Sequence, residues 1–200
     1  MRVMLLGFNR TEMEWIQRRW IVNAWTRSIT LALALVVAGC GTTMTPADYA
    51  AEQPVLDLKQ YFNGTVDAWG IFQDRSGKVI KRFTVVIRCS WDGDTGTLDE
   101  DFTYSDGTTQ KRVWTLKKVG ENRYIGTADD VIGQADGTTG GNALNWKYVL
   151  ALPVDGKVYH VNFDDWMYQM DENVMLNRAV MSKFGIRLGE VTLSFRKRQD

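Results

Sequence analysis

The 200-residue sequence contains one histidine, two cysteines and three prolines. His160 stands alone, so a multi-histidine metal centre is excluded, and with only Cys40 and Cys89 beside it a four-ligand structural zinc site is excluded too. Two cysteines also rule out a disulfide-dense scaffold. No Walker phosphate loop, dinucleotide-binding glycine fingerprint or serine nucleophile elbow occurs, and neither a metal nor an organic cofactor is expected. There is no excess of charge, because 24 basic residues balance 24 acidic ones. Five of the basic and two of the acidic residues lie within 1–39, which leaves residues 40–200 mildly acidic and argues against a nucleic-acid partner. A long apolar run is missing as well. The longest, Ile29 to Ala38, is half the length of about 20 residues that a membrane-spanning helix needs.

What that short run does have is a particular setting. It follows Arg18, Arg19 and Arg27 and closes on small residues before Cys40, the layout of an export signal with a positive start, an apolar middle and a small-residue end. Met13 is a candidate start that would shorten the leader. The segment Val37-Ala38-Gly39-Cys40 resembles the bacterial lipobox, in which the cysteine thiol is lipidated and becomes the first residue of the mature protein. A plain secretory signal with an incidental cysteine is the alternative. Residues 1–39 are therefore expected to be a lipoprotein signal peptide, and Cys40 a lipid anchor to the membrane. Gly41 in place of Asp favours the outer membrane, facing the periplasm, by analogy with the sorting of such lipoproteins. Residues 40–58, small and polar with two prolines, read as the lipidated cysteine and its tether.

From residue 59 to 200 the pattern changes to strand-length runs separated by turn residues, among them "DRSG", "DGD", "SDG" and "VDG". That spacing predicts an all-β domain, an antiparallel sandwich or barrel, of about nine strands. "GQADGTTGGN" (133–142) reads as a flexible loop, and 174–184 is ambiguous between helix and strand. Alternation assigns faces. Phe83, Val85, Ile87, Cys89 and Trp91 share one side of their run, and Leu144, Trp146, Tyr148, Leu150 and Leu152 share one side of another. Cys89 reads as a small buried hydrophobe.

One hairpin fixes a register. A three-residue loop ending in a left-handed Gly107 sets Leu98 opposite Trp114, Glu100 opposite Arg112 and Phe102 opposite Gln110, which keeps the apolar sets on one face. Glu100 and Arg112 then form either a cross-strand pair at the rim or a buried ionic pair in a lumen, where burial is costly without further hydrogen bonds. Asp165 falls on the same side as Tyr159, Val161 and Phe163. A carboxylate there must find a cation or hold its proton, and Arg178 and Arg112 are the candidate partners. Asp129 and Asp130 form a second acidic pair. Asp130 and Asp165 are the candidates for a general base, against the plainer reading of Asp-Asp pairs as turn caps or a solvated edge.

The stretches "YFNGTVDAWGIFQDRSGKVIKRFTVVI", "TLDEDFTYSDGT", "ADDVIG", "GNALNWKYVL", "FDDWMY" and "NRAVMSKFGIRLGEVTLSF" resemble the bacterial lipoproteins of the domain of unknown function 3833 family over about 60–197. The resemblance implies a single lipocalin-like β-barrel on a lipoprotein of no established activity, and supplies no catalytic residues. Three functions then compete. The first is a carrier for a lipid or other apolar small molecule, with Glu100, Arg112, Asp165 and Arg178 orienting a headgroup and Trp114, Trp146 and Tyr148 as walls. The second is an enzyme acting on membrane lipid with an aspartate base, which a raised carboxylate pKa inside the lumen would favour. The third is a structural or assembly lipoprotein with a filled core and no ligand.

Overall fold

The structure, a computed structural model, describes residues 43–154 and 156–199. The expected signal peptide and Cys40 lie outside the described residues. Residues 44–200 form one compact unit. It contains the strands β1 (Gly64–Asp74), β2 (Val79–Asp92), β3 (Thr95–Tyr104), β4 (Thr109–Lys118), β5 (Arg123–Thr127), β6 (Ala135–Gly140), β7 (Ala143–Val154), β8 (Lys157–Gln169), β9 (Val174–Lys183) and β10 (Ile186–Lys197). Each strand pairs antiparallel with its neighbours in sequence, and β1 pairs with β10 from Val66–Lys197 to Asp74–Gly189. The sheet therefore closes into a lipocalin-like barrel.

Among the described residues there are ten strands, not nine. The glycine-rich segment expected to be a loop holds β6. Its inward positions are Ala135, Gly137 and Thr139, with Asp136 and Thr138 facing water. Gly137 carries no side chain because the indole of Trp146, its partner on β7, lies where a Cβ would stand. The hydrophobic alternation that marks a strand is thus supplied by the neighbouring strand. The ambiguous stretch 174–184 resolves as β9, with Met175, Asn177, Ala179 and Met181 turned inward. In the β3–β4 hairpin, Gly107 has φ +82° and Leu98, Glu100 and Phe102 pair with Trp114, Arg112 and Gln110, the expected register.

The expectation of a free tether through residue 58 gives way from residue 46 onward. Pro46–Tyr49 forms a turn of 3-10 helix, capped by Thr45 and Asp48. Leu56 N–H donates to the Gly141 carbonyl at 2.9 Å. A one-turn helix α1 (Leu58–Tyr61) follows, with the Asp57 carboxylate accepting from Lys59 and Gln60 N–H. Leu56, Leu58, Tyr61 and Phe62 are all buried and close one end of the barrel. Trp91 Nε1 donates to the Phe62 carbonyl at 2.7 Å and Tyr61 Oη donates to the Asn173 carbonyl at 2.9 Å, so the plug is tied to two hairpins. A Cβ at Gly140 would collide with the Pro46 backbone. Gly140→Val is therefore expected to dislodge residues 44–57, read as faster protease cleavage within that segment. Cleavage at the wild-type rate would contradict this packing.

β5 and β6 have five and six residues where their neighbours β4 and β7 have ten and twelve. The missing upper wall is filled by the segment 128–134. Ile132 N–H donates to the Val149 carbonyl at 2.9 Å, and Ala151 N–H donates to the Asp130 carbonyl at 2.8 Å. This irregular stretch is what carries Asp130 into the barrel wall.

Candidate ligand-binding site

The inward faces of the strands enclose a cavity of about 560 Å³. This lies within the range of roughly 300–1,000 Å³ common for small-molecule sites. Its walls are apolar for most of their area, with Leu58 and Phe62 at the closed end and Phe72, Phe83 and Val154 towards the other. The side of the cavity facing β4 and β7 is aromatic. Trp114 meets Trp146 edge-on at 5.9 Å and Tyr148 at 5.5 Å, and Tyr148 stacks on Phe163 at 4.9 Å. Such pairs add to the area they bury and hold the wall rigid. The open end is marked by apolar hairpin tips, with Ile80, Val154, Val158, Phe184 and Ile186 all exposed. Val154 belongs to both the cavity and the rim.

Within this apolar surface sits one cluster of polar groups. Arg112 on β4 donates from Nε to Asp130 Oδ1 and Oδ2 at 3.1 and 3.0 Å, and from Nη2 to Oδ2 at 2.7 Å. Its Nη1 lies 3.8 Å from Glu100 Oε2, and the Arg112 and Glu100 side chains are only 16% and 13% exposed. The pair is therefore inside the lumen wall, not on the outer rim. Glu100 makes no hydrogen bond among the described residues, and its Oε2 is buried without one. Lower in the lumen, Asp165 on β8 accepts from Tyr148 Oη at 3.2 Å and from the Asn177 amide. Asn177 Nδ2 also donates to the Trp166 carbonyl at 3.2 Å, while its Oδ1 is buried without a donor.

Burial sets the protonation of these groups. It raises Glu100 to about 7, against the opposing pull of Arg112 and with further upward pushes from Asp130 and Asp165. Burial also raises Asp165 to about 7, although the hydrogen bonds from Asn177 and Tyr148 work the other way. The Tyr148 hydroxyl is held well above its ordinary range by burial and by the Asp165 charge. Burial alone would lower Arg112, but the Asp130 hydrogen bond and the Glu100 charge outweigh it and keep the guanidinium charged. Cys89, free and buried, is pushed up to about 12 by burial and is chemically inert.

Of the residues singled out from the sequence, Glu100, Arg112, Trp114, Asp130, Trp146, Tyr148 and Asp165 all line this one cavity. Arg178 does not. It is exposed on the outer face of β9 and pairs with Glu190 at 2.8 Å, because alternation from Met175 and Ala179 turns it outward. Asn177, one residue earlier, takes the place expected of a cation beside Asp165. Asp129 is exposed and apart from the cluster. The outward faces of β2, β3 and β4 carry an ionic ladder, with Arg88 on Asp101 and Lys111 on Asp99. That wall faces water, unlike the apolar band of a membrane-embedded barrel.

Comparison with solved structures supports the fold. An S-type phycobiliprotein lyase from Guillardia theta is similar with a TM-score of 0.53 and 7% identity, over 72% of this chain and 95% of that one. A protein of unknown function from the DUF3598 family of Nostoc punctiforme is similar with a TM-score of 0.50 and 12% identity, over 74% of this chain but only 51% of that one. Among curated proteins none matches the sequence. Residues 34–197 match the family described as protein of unknown function (DUF3833), and the chain belongs to that family.

Proposed function

We propose that this protein binds or carries a lipid or other apolar small molecule in its barrel lumen, held at the periplasmic face of the outer membrane by a lipidated Cys40. The observation that carries the binding reading is the cavity of about 560 Å³, apolar over most of its wall with polar side chains gathered in one cluster. A filled core would leave no such space, and an open channel would not be plugged by Leu56, Leu58, Tyr61 and Phe62. The anchor rests on the sequence from Ile29 to Cys40. Cys40→Ser is expected to move the protein from the membrane fraction to the soluble periplasm, and retention in the membrane would contradict it.

The binding reading is tested with Nile red, an uncharged apolar dye, and residues 44–200. The dye is expected to bind with one site per barrel and a strong rise in emission. Ala179, inward on β9 and 2% exposed, is the position from which to fill the lumen. Ala179→Trp is expected to abolish the signal while the urea midpoint shows that the barrel still folds. Undiminished dye binding in this variant would place the dye outside the lumen and sink the reading.

An enzymatic reading has one observation in its favour. Glu100 and Asp165 sit near pH 7, where a general acid or base works best. Asp130 is less suited to be a base, since three contacts with Arg112 occupy its oxygens. Among the described residues the cavity lining includes no Ser, Thr, Cys or His, so the groups left for such an enzyme are its carboxylates, Tyr104, Tyr148 and Lys81. Membrane lipid incubated with the wild type and with Asp165→Asn separates the readings. A new product mass formed only by the wild type would establish catalysis.

A further inference from the structure

The charge inside the lumen is lopsided. Glu100, Asp130 and Asp165 line the cavity, and among the described residues Arg112 is the one cation of the buried cluster. Lys81, the other cation of the lining, is at the rim and is tied to Asp106 at 3.1 Å. Arg112 is largely committed, with hydrogen bonds from Nε and Nη2 to Asp130 and only an ion-pair contact of 3.8 Å from Nη1 to Glu100. An incoming anion would have to compete with Glu100 for that one remaining Nη, and would meet Asp130 and Asp165 at close quarters.

The polar atoms left over point the same way. Glu100 has no hydrogen bond among the described residues, and Asn177, 3% exposed, has an unpartnered Oδ1. The Asn177 amide orientation is fixed, because its Nδ2 donates to both Asp165 and the Trp166 carbonyl. Both leftovers are acceptors, and buried acceptors without donors are costly unless something supplies the proton. The indoles of Trp114 and Trp146 line the same space. Their N–H groups are uncharged donors that can hold a carbonyl or ether oxygen, but they do not offset three carboxylates.

We infer that the ligand carries, on its apolar body, a polar group that donates hydrogen bonds and is uncharged or cationic, a hydroxyl or a protonated amine, held by Glu100 with Asp165 and Asn177 below it. Free fatty acids and other anionic heads are the class this lumen rejects. This rests on the lumen being a binding site at all. A donor at Glu100 satisfies an orphaned carboxylate, while an amine also offsets its charge.

The test is displacement of Nile red from residues 44–200 at pH 8.5 by three probes of one chain length, dodecanol, dodecylamine and dodecanoate, each below its aggregation limit. Dodecanol and dodecylamine are expected to displace the dye at concentrations at least about tenfold lower than dodecanoate, the scale of one charge-assisted hydrogen bond. Glu100→Gln, which removes a charge and keeps the shape, is expected to shrink that gap to about threefold or less. Dodecanoate binding as tightly as dodecanol, or a gap that Glu100→Gln leaves untouched, would overturn the inference while leaving the lumen a binding site. Failure of Nile red and of all three probes to bind, by fluorescence and by calorimetry, would overturn the lumen reading and this inference with it.

Discussion

Replacing Arg112 with methionine is expected to destabilise the barrel by about 3–5 kcal/mol at pH 8, the range for removing one partner from a buried ion pair. The loss should be much smaller at pH 5. In the wild type the guanidinium faces two carboxylates, Asp130 at 2.7 Å and Glu100 at 3.8 Å. Without it both are left in the wall of an apolar cavity with no cation. Glu100, near 7 even with Arg112 beside it, would be neutral at pH 5, and a neutral carboxyl tolerates burial far better than a charged one. Urea denaturation of wild type and variant at the two pH values checks this. An equal loss at both would mean that Arg112 contributes by packing alone. A triple replacement of Glu100, Arg112 and Asp130 by Gln, Met and Asn is expected to recover much of the stability, since neutral residues of similar shape need no partner charge.

The wild-type barrel, free of ligand, is expected to be more stable at pH 5.5 than at pH 8. The sign follows from linkage. Glu100 and Asp165 have folded values of about 7, above their ordinary 4.5 and 3.8. Between those limits the folded state holds more protons than the unfolded one, so stability falls as pH rises through the window and levels off above it. Each carboxyl contributes on the order of 3 kcal/mol across the full window. The surface carboxylates behave in the opposite sense. Asp101, lowered first by its hydrogen bond from Arg88, and Asp106, lowered to about 2 by Thr108, lose their stabilisation only at more acid pH. Glu100→Gln with Asp165→Asn is expected to flatten the profile between pH 5.5 and 8. Urea midpoints across that range supply the measurement. A wild-type stability that rises through the window would contradict the buried-carboxylate account.

The lumen face was legible in the sequence wherever alternation was unbroken. The β2 run from Phe83 to Trp91 and the β7 run from Leu144 to Leu152 show which residues turn inward, and the same rule puts Asp165 there with Val161 and Phe163. Gly107 fixed the β3–β4 register and with it the Glu100–Arg112 pairing. Where local pattern is overruled by a neighbour, the reading fails. β6 has no hydrophobic alternation of its own, because Trp146 from β7 covers Gly137. The Arg112–Asp130 contact depends on a loop filling the gap above two short strands, a tertiary fact with no local signal. The plug formed by Leu56 and Leu58 was hidden in a segment whose composition resembles a linker. Arg178 is a different case. With the segment a strand, Met175, Ala179 and Met181 turn inward, which sends Arg178 outward and brings Asn177 in, but apolar Leu176 and Val180 on the other face blur that alternation in the sequence.

The most direct test of the account is native mass spectrometry of residues 44–200 purified without detergent. A co-purifying apolar molecule is expected, one per barrel, lost from the Ala179→Trp variant and bearing a hydroxyl or amine, not a free acid. A clean ligand-free mass that persists after incubation with a membrane lipid extract would contradict it, and would leave a barrel whose cavity has no cargo.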